Sequence, residues 1–156
     1  MNEHPTILGR HRLRVRYGET DQMGVVYHPN YLIWFNESRD ALMSGIGIDV
    51  AAIERRGYRF PIVEVGCRYL QSARYGDEIE ISAVLHYQRV ARMNFSFEVR
   101  HQTSQRLLAT GESVSVVTNA DGKLLISLPA ELKLAIEQAL QRQQEISEHQ
   151  PKENIS

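Results

Sequence analysis

The chain has little of what redox, metal-binding and nucleotide-binding proteins use. Its 156 residues include a single cysteine, Cys67, so an internal disulfide is excluded and a reducing compartment is expected. Cys67 has no neighbours suited to metal binding, and we expect a buried strand residue rather than a nucleophile. His86 and His101 lack metal-ligand spacing, and the sequence has neither a dinucleotide glycine fingerprint nor a phosphate loop. We therefore expect no metal and no bound cofactor.

An excess of one charge and long apolar runs are also missing. The formal net charge is -1, from 18 basic and 19 acidic residues, so there is no electrostatic case for nucleic-acid binding. Residues 1–9 lack the apolar core of a signal peptide, and no apolar run approaches the length that spans a bilayer. We expect a cytoplasmic protein that binds no nucleic acid and does not span a membrane.

Periodic patterns in the sequence predict one long helix followed by a sheet. The helix is predicted over residues 30–45, with Pro29 fitting its start, and the apolar run 31–35 indicates that its first turns are buried. A short second helix, over residues 49–56 and capped by Asp49, precedes the sheet, and Pro129 opens an amphipathic C-terminal helix. Period-two alternation predicts strands over residues 10–17, 62–67, 79–87, 94–100, 107–118 and 123–126.

This order of elements predicts an α+β fold. The strands each have one apolar face, so that face of the sheet has to pack against another apolar element. The long helix, whose first turns are apolar, is the element expected there. We expect a curved antiparallel sheet wrapped around the long helix, in a single domain over residues 1–140. Residues 141–156 are rich in glutamine and glutamate, and we expect a fraying helix end followed by a disordered tail.

One segment of the chain, residues 17–31, concentrates the reactive groups. It contains the carboxylates Glu19 and Asp21, a glycine, His28 and the predicted start of the long helix. A carboxylate placed just before the positive end of a helix can act on a carbonyl group as a nucleophile or a base. Free backbone N–H groups at the helix start can hold the oxyanion that develops. The segment therefore points to chemistry at a carbonyl carbon.

The run RVRYGETDQMGVVYHPNY at residues 14–31, with WFNESR at residues 34–39, resembles the hotdog-fold acyl-CoA thioesterases. The Thr-Asp-x-x-Gly-x-Val-Tyr-His-x-x-Tyr pattern carries the resemblance, which is strongest to the 4-hydroxybenzoyl-CoA thioesterase family and its YbgC-like branch. The strand pattern is similar to the same fold from about residue 8 to residue 140. The resemblance implies an enzyme that hydrolyses an acyl-CoA thioester to a free carboxylic acid and coenzyme A, with the coenzyme entering as part of the substrate.

The resemblance also implies roles for particular residues. The family's catalytic aspartate precedes a glycine by three positions, which gives that role to Asp21 and makes Gly24 the glycine. The backbone N–H that polarises the thioester carbonyl lies seven residues after the aspartate, at His28. We expect Tyr27 and Tyr31 to wall the acyl pocket or to lie in the core.

The resemblance also implies a binding role for two arginines and a homo-oligomeric assembly. Arg89 and Arg92 match a basic connection between strands in the family, and we expect them near the phosphates of coenzyme A. The family forms dimers with a continuous sheet, often paired into tetramers, with active sites at the subunit interface. We therefore expect a homo-oligomer, either a dimer or a homotetramer.

Several alternatives stay open at this level. Asp21 is either the nucleophile or the base that activates water, and the His28 side chain either acts on the thioester or only walls the pocket. We expect Glu19, two residues before Asp21, to be a structural or solvated residue rather than the catalytic acid. We expect Glu37, on the long helix, to form a structural pair with Arg39 or with a residue of the sheet.

Two other functions are compatible with the same fold. One is a hydratase or dehydratase that acts on acyl thioesters, although the motif around its acidic and histidine residues differs from the one here. The other is a non-catalytic protein that binds acyl-CoA. The length and character of the acyl chain do not follow from the sequence.

Overall fold

The computed structural model describes residues 4–149. It contains five strands, three α-helices and a short 3₁₀ helix, Tyr17–Glu19, within those residues. In chain order the elements are β1 (Thr6–Arg14), α1 (Asn30–Gly45), α2 (Val50–Arg55), β2 (Ile62–Tyr69), β3 (Glu78–His86), β4 (Arg92–His101), β5 (Leu107–Val116) and α3 (Ala130–His149).

The five strands form one antiparallel sheet in the order β1-β3-β4-β5-β2. The first two strands in the chain are therefore the two edges of the sheet. Burial alternates along β3 and β4, so that one face is covered and the other is partly open to solvent. The covered face lies over α1, which confirms the predicted α+β fold of a sheet around a long helix.

Close contact between α1 and the middle of the sheet holds the core together. The rings of Phe35 on α1 and Phe97 on β4 stack with centroids 4.5 Å apart. A Cβ atom on Gly111 of β5 would lie 2.2 Å from the Phe35 ring, so only glycine allows this approach. Trp34 is fully buried beside them, and the start of α1 is thereby fixed relative to the sheet.

The helix α1 has the predicted bounds, and α2 has the predicted cap. The Asp49 side chain accepts a hydrogen bond from the Ala52 N–H at 2.9 Å. The prediction that the first turns of α1 are buried on all sides needs correction at Ile33, which is 52% exposed. Tyr31 and Trp34 point to the core, whereas Ile33 lies on the outer side of the helix.

Two predicted strands differ from the observed ones. The first strand begins at Thr6 and ends at Arg14, because residues 6–9 pair with the end of β3, whereas residues 17–19 turn into the 3₁₀ helix. Residues 123–126 form no strand; Leu124 makes one isolated bridge with Thr118. The predicted turn before them is present, and its Asn119 side chain accepts hydrogen bonds from two following N–H groups.

The C-terminal helix α3 packs its apolar face on the domain through Leu132 and Ile136, which are both fully buried. It continues to His149, so residues 141–149 extend the helix. The predicted tail after that point lies outside the described residues. None of the helices in the described part of the chain is long and apolar enough to cross a membrane.

Candidate active site

A tight turn fixes the Asp21 side chain. The Asp21 N–H donates to the Val25 carbonyl at 2.9 Å, and the Gly24 N–H donates back to the Asp21 carbonyl at 3.0 Å. The carboxylate oxygen Oδ1 accepts from the Met23 N–H at 2.8 Å. Gly24 has a φ of 76°, which favours glycine, so the sequence closes the turn locally. The other oxygen, Oδ2, accepts no hydrogen bond from residues 4–149 and is available for chemistry.

Glu19 ties this loop to α1. Its Oε1 accepts from the Trp34 indole N–H at 3.1 Å, and its Oε2 accepts from the Arg16 N–H at 2.8 Å. Its carbonyl accepts from the Tyr27 N–H at 2.8 Å and from the Asn30 side-chain amide at 2.9 Å. These four bonds agree with the structural role expected for Glu19. Of the two carboxylates in this loop, Asp21 is the one with an oxygen, Oδ2, that accepts no hydrogen bond from the described residues.

The turn before α1 leaves one backbone N–H group without an acceptor. The Asn30 N–H donates to the Tyr27 carbonyl at 3.0 Å, the Tyr31 N–H donates to the His28 carbonyl at 3.3 Å, and Pro29 has no N–H. The His28 N–H donates to no group in the described part of the chain. It also lies at the positive end of a 16-residue helix, which makes it a suitable donor to an anion.

Asp21 and His28 line the same cleft. The cleft has a volume of about 260 Å³, and its walls include Tyr31, Tyr69 and residues 70–72. Asp21 and His28 thus supply one cavity with a carboxylate and an unengaged backbone N–H, the two groups that thioester hydrolysis requires. The structure brings Asp21, His28 and Tyr31 to this cleft, with Gly24 in the same turn as Asp21.

Tyr69, the last residue of β2, is part of this cleft and was missed by the sequence reasoning. Its hydroxyl donates to the His28 carbonyl at 2.9 Å, and its ring meets the edge of Tyr31 at 5.1 Å. Desolvation, together with the neighbouring Cys67 thiol, raises the pKa of Tyr69 to about 12. Burial also raises the pKa of Tyr31. Both phenols therefore keep their protons at neutral pH, and no local sequence signal marks Tyr69.

The other predicted binding residues lie apart from the cleft. Tyr27 is about half exposed and contacts the His28 ring at 4.8 Å, but it does not line the cleft. Arg92 pairs with Val116 at one end of β5, whereas Tyr69 at the cleft pairs with Ala109. Seven residues of strand, about 23 Å, separate these two positions. Arg89, in the connection between β3 and β4, is at the same distant end of the sheet.

The remaining predictions concern structural residues. Glu37 lies 3.6 Å from the Nε2 atom of His11 on β1, so its partner is the expected residue of the sheet. Arg39 pairs with Asp40 on the same helix instead. Cys67 is in a strand as predicted, though half-buried, and burial raises the pKa of its thiol.

Comparison with known proteins agrees with this fold and site. Residues 15–136 match the family model described as the thioesterase-like superfamily. Because that match covers well over half of the chain, the chain belongs to the thioesterase-like superfamily of hotdog proteins. The antiparallel sheet around a long helix is the fold that the resemblance implied.

Two relatives are similar to this chain over different lengths. A Bacillus subtilis protein, whose provisional name is acyl-CoA thioesterase YneP, is 38% identical over 79 residues, which are 51% of this chain and 54% of that protein. The chain thus spans about half the length of that relative. A 1,4-dihydroxy-2-naphthoyl-CoA hydrolase of Synechococcus elongatus is 26% identical over 121 residues, 76% of this chain and 88% of the relative.

A crystal structure of a 1,4-dihydroxy-2-naphthoyl-CoA thioesterase from Synechocystis superposes with a TM-score of 0.78. The two proteins are 21% identical, and the superposition covers 83% of this chain and 95% of that one. This likeness shows the fold. The thioesterase and hydrolase names of these proteins agree with the enzyme class that the motif predicts.

Proposed function

We propose that the protein is an acyl-CoA thioesterase that hydrolyses an acyl-CoA to the free carboxylic acid and coenzyme A. The observation that carries the proposal is the single cleft shared by the Asp21 carboxylate and the unengaged His28 N–H. A thioester carbonyl is electrophilic and a thiolate is a fair leaving group. A positioned carboxylate, a water molecule and an oxyanion donor are therefore sufficient for its hydrolysis.

Asp21 has two routes to the product. In the first, its Oδ2 attacks the carbonyl carbon, the carbon–sulfur bond breaks, and the thiolate takes up a proton. Water then hydrolyses the mixed anhydride. In the second, Oδ2 takes a proton from water while the water oxygen attacks the carbonyl carbon directly. The carbon–sulfur bond then breaks, and the leaving thiolate takes up the proton held by Asp21. In both routes the His28 N–H holds the oxyanion, and removal of such a donor costs about 3–4 kcal/mol in comparable enzymes.

We further propose that two copies associate through β2. Val65 faces the same side of the sheet as Cys67, towards α1, yet it remains 47% exposed. Val63 on the same strand and Leu70 just after it are also exposed. A second copy would cover these side chains and pair the free strand edge, which supports a homodimer. Pairing of two dimers into a homotetramer remains a prediction.

This assembly would bring the distant arginines to the cleft. Two identical edge strands related by a two-fold axis in one sheet run antiparallel, so the start of β2 in one copy lies beside its end in the other. Arg92 of the second copy would then lie about three strand spacings, about 14 Å, from this Tyr69. That supports binding of coenzyme A phosphates by Arg89 and Arg92 across the interface, with Tyr27 and Tyr31 near the acyl group.

On the motif at residues 20–31 we place the chain with the 4-hydroxybenzoyl-CoA thioesterase group, on its YbgC-like branch. A cytoplasmic location is supported by the single cysteine. The names of several relatives point to aromatic acyl-CoAs, which therefore come first among the substrates to test, ahead of short and long aliphatic ones.

Thiol release from this panel of acyl-CoAs tests the function. We expect release by the wild type and a loss of at least about a hundredfold in kcat/KM for Asp21→Asn, because asparagine is neither a base nor a nucleophile here. Asp121→Asn, which changes an exposed turn carboxylate, is the matched control and should leave kcat/KM unchanged. Retention of every acyl-CoA intact by the wild type would instead favour a binding protein, and hydration of an enoyl-CoA would favour a hydratase.

A single turnover in heavy-oxygen water tests the route. Label that enters the Asp21 carboxylate would support the anhydride, since water can attack the anhydride at the aspartyl carbon. The label is read by mass spectrometry of the peptide that contains Asp21.

A further inference from the structure

The two peptides that flank the His28 Cα atom are held unequally within the turn. In the peptide that carries the His28 N–H, the Tyr27 carbonyl accepts from the Asn30 N–H and from the Asn30 side-chain amide, both at 3.0 Å. The Tyr31 N–H reaches the His28 carbonyl only at 3.3 Å, and Pro29 contributes no donor. An N–H group that stabilises a short-lived oxyanion has to be held within about half an ångström of its working position. The peptide that follows His28 is therefore the weakly held one, and firm support for its carbonyl has to come from outside the turn.

Two groups from elsewhere in the chain hold the turn. On the loop side, the Glu19 carbonyl accepts from the Tyr27 N–H at 2.8 Å and holds the Val26–Tyr27 peptide, one residue before the peptide that carries the His28 N–H. On the sheet side, the Tyr69 hydroxyl donates to the His28 carbonyl at 2.9 Å. The N–H and the carbonyl of His28 flank one Cα atom. Once both neighbouring peptides are held, neither backbone dihedral of His28 can turn freely.

We propose that Tyr69 is a positioning residue of the reaction: by holding the His28 carbonyl, it fixes the direction in which the His28 N–H points into the cleft. The inference rests on the proposed thioesterase function, because the role of the N–H in oxyanion binding comes from there. Tyr69 acts through His28 and needs no contact with the substrate.

The surroundings of Tyr69 suit this role. Its ring meets Tyr31 edge to face at 5.1 Å and His28 at 6.2 Å, with interplanar angles of 87° and 86°. These two contacts restrict the ring and aim the hydroxyl before substrate arrives. The phenol has a pKa of about 12, so it remains a donor across the neutral range. Because Tyr69 ends β2, the same bond ties the oxyanion donor to the edge strand of the sheet.

Kinetics of Tyr69→Phe against Tyr75→Phe test the proposal. Both variants remove one phenolic oxygen, but Tyr75 is an exposed tyrosine that does not line the cleft. We expect Tyr69→Phe to lower kcat about tenfold with KM within about twofold of the wild type, and Tyr75→Phe to change neither. A raised KM with an unchanged kcat would make Tyr69 a pocket wall and overturn the proposal. An unchanged kcat with a lowered melting temperature would reduce it to a structural residue and overturn it as well.

A second measurement does not depend on hydrolysis. The nitrogen-15 order parameter of the His28 amide should fall from about 0.85 towards 0.6 in Tyr69→Phe and stay near 0.85 in Tyr75→Phe. An order parameter that is unchanged in Tyr69→Phe overturns the positioning role whatever the activity. If the wild type releases no thiol from any acyl-CoA, the proposed function fails, and this measurement still decides whether Tyr69 orients the amide.

Discussion

The two edges of the sheet, β1 and β2, differ in how far their apolar side chains are covered. On β1, arginines alternate along one face, and Arg10 and Arg12 both lie near the Glu80 carboxylate of β3, with the Arg12 Nε atom at 2.9 Å. On β2, the outer face carries the exposed Glu64 and Arg68, whereas the face towards α1 leaves apolar side chains exposed, with Val65 at 47%. In addition, α3 approaches β1, since the Gln143 side chain donates to the Thr6 carbonyl, whereas β2 has no helix over its edge in the described part of the chain.

This difference favours β2 over β1 as the strand that pairs with a second copy of the chain. A strand edge covered with charges resists the addition of another strand, whereas an apolar and uncovered edge invites it. The apolar edge is also the one that reaches the candidate active site, through Tyr69 and Leu70 at the cleft. In the proposed dimer, the same strand would serve both association and the active site, and four predictions test the contrast between the edges.

The largest effect is expected from a charge placed on β2, the edge strand that leaves apolar side chains exposed. Val65→Lys would bury an unpaired ammonium group in the proposed interface, and we expect dimer dissociation to become at least about a thousandfold easier, about 4 kcal/mol. Leu8→Lys is the matched change on β1, at a residue that is 49% exposed, and it should leave the dimer intact. Sedimentation analysis measures both. A dimer that survives Val65→Lys, or that Leu8→Lys disrupts, would contradict the contrast between the edges.

Removal of two arginines tests whether pairing through β2 completes the site. Arg89→Ala with Arg92→Ala should raise KM for acyl-CoA about tenfold, because charge-assisted bonds to phosphate are lost, with a smaller effect on a short pantetheine thioester. Arg10→Ala with Arg12→Ala, on the other edge, should leave KM unchanged. Equal effects of the first pair on both substrates would argue against phosphate recognition.

Neutralisation of a carboxylate on the charged edge should have a smaller effect. Glu80→Gln keeps the shape of the side chain but loses its attraction to Arg10 and Arg12, and we expect a loss of about 1 kcal/mol in the free energy of unfolding. Glu98→Gln removes a more exposed carboxylate, paired with Arg100, and should change the free energy of unfolding by less than about 0.5 kcal/mol. Urea unfolding at low salt measures both, and the difference should shrink in about 1 M salt. A difference that persists in high salt would be inconsistent with an electrostatic cause.

The smallest effect is a dependence of stability on alkaline pH that comes from β2. Because the pKa of Tyr69 is raised to about 12 from 10.0, folding favours the neutral phenol. Its contribution to stability is complete below pH 10 and is lost as the pH rises through about 12. Urea unfolding at about pH 9 and about pH 11 should therefore show a smaller loss of stability with rising pH in Tyr69→Phe than in Tyr75→Phe. Equal losses in the two variants would remove Tyr69 as a source of this dependence.

Much of the fold and part of the site follow from short-range patterns. The bounds of α1 are set by Pro29 and Gly45, and the cap of α2 by Asp49, since these signals act within one helical turn. The turn that presents Asp21 is equally local, because Gly24 closes it three residues later. The same patterns misplace β1 and add a strand at residues 123–126, since whether an extended segment joins a sheet depends on a partner strand elsewhere.

By itself, the sequence determines the order of helices and strands and their apolar faces. It also places Asp21 seven residues before His28, at the start of the long helix. Each of these depends on residues a few positions apart. Only the tertiary structure decides that β2 is an uncovered edge, that Arg92 lies far from the cleft within one copy, and that Tyr69 bonds to a residue 41 positions earlier. Strand pairing brings distant segments together, and no periodicity of either segment records which partner it will meet.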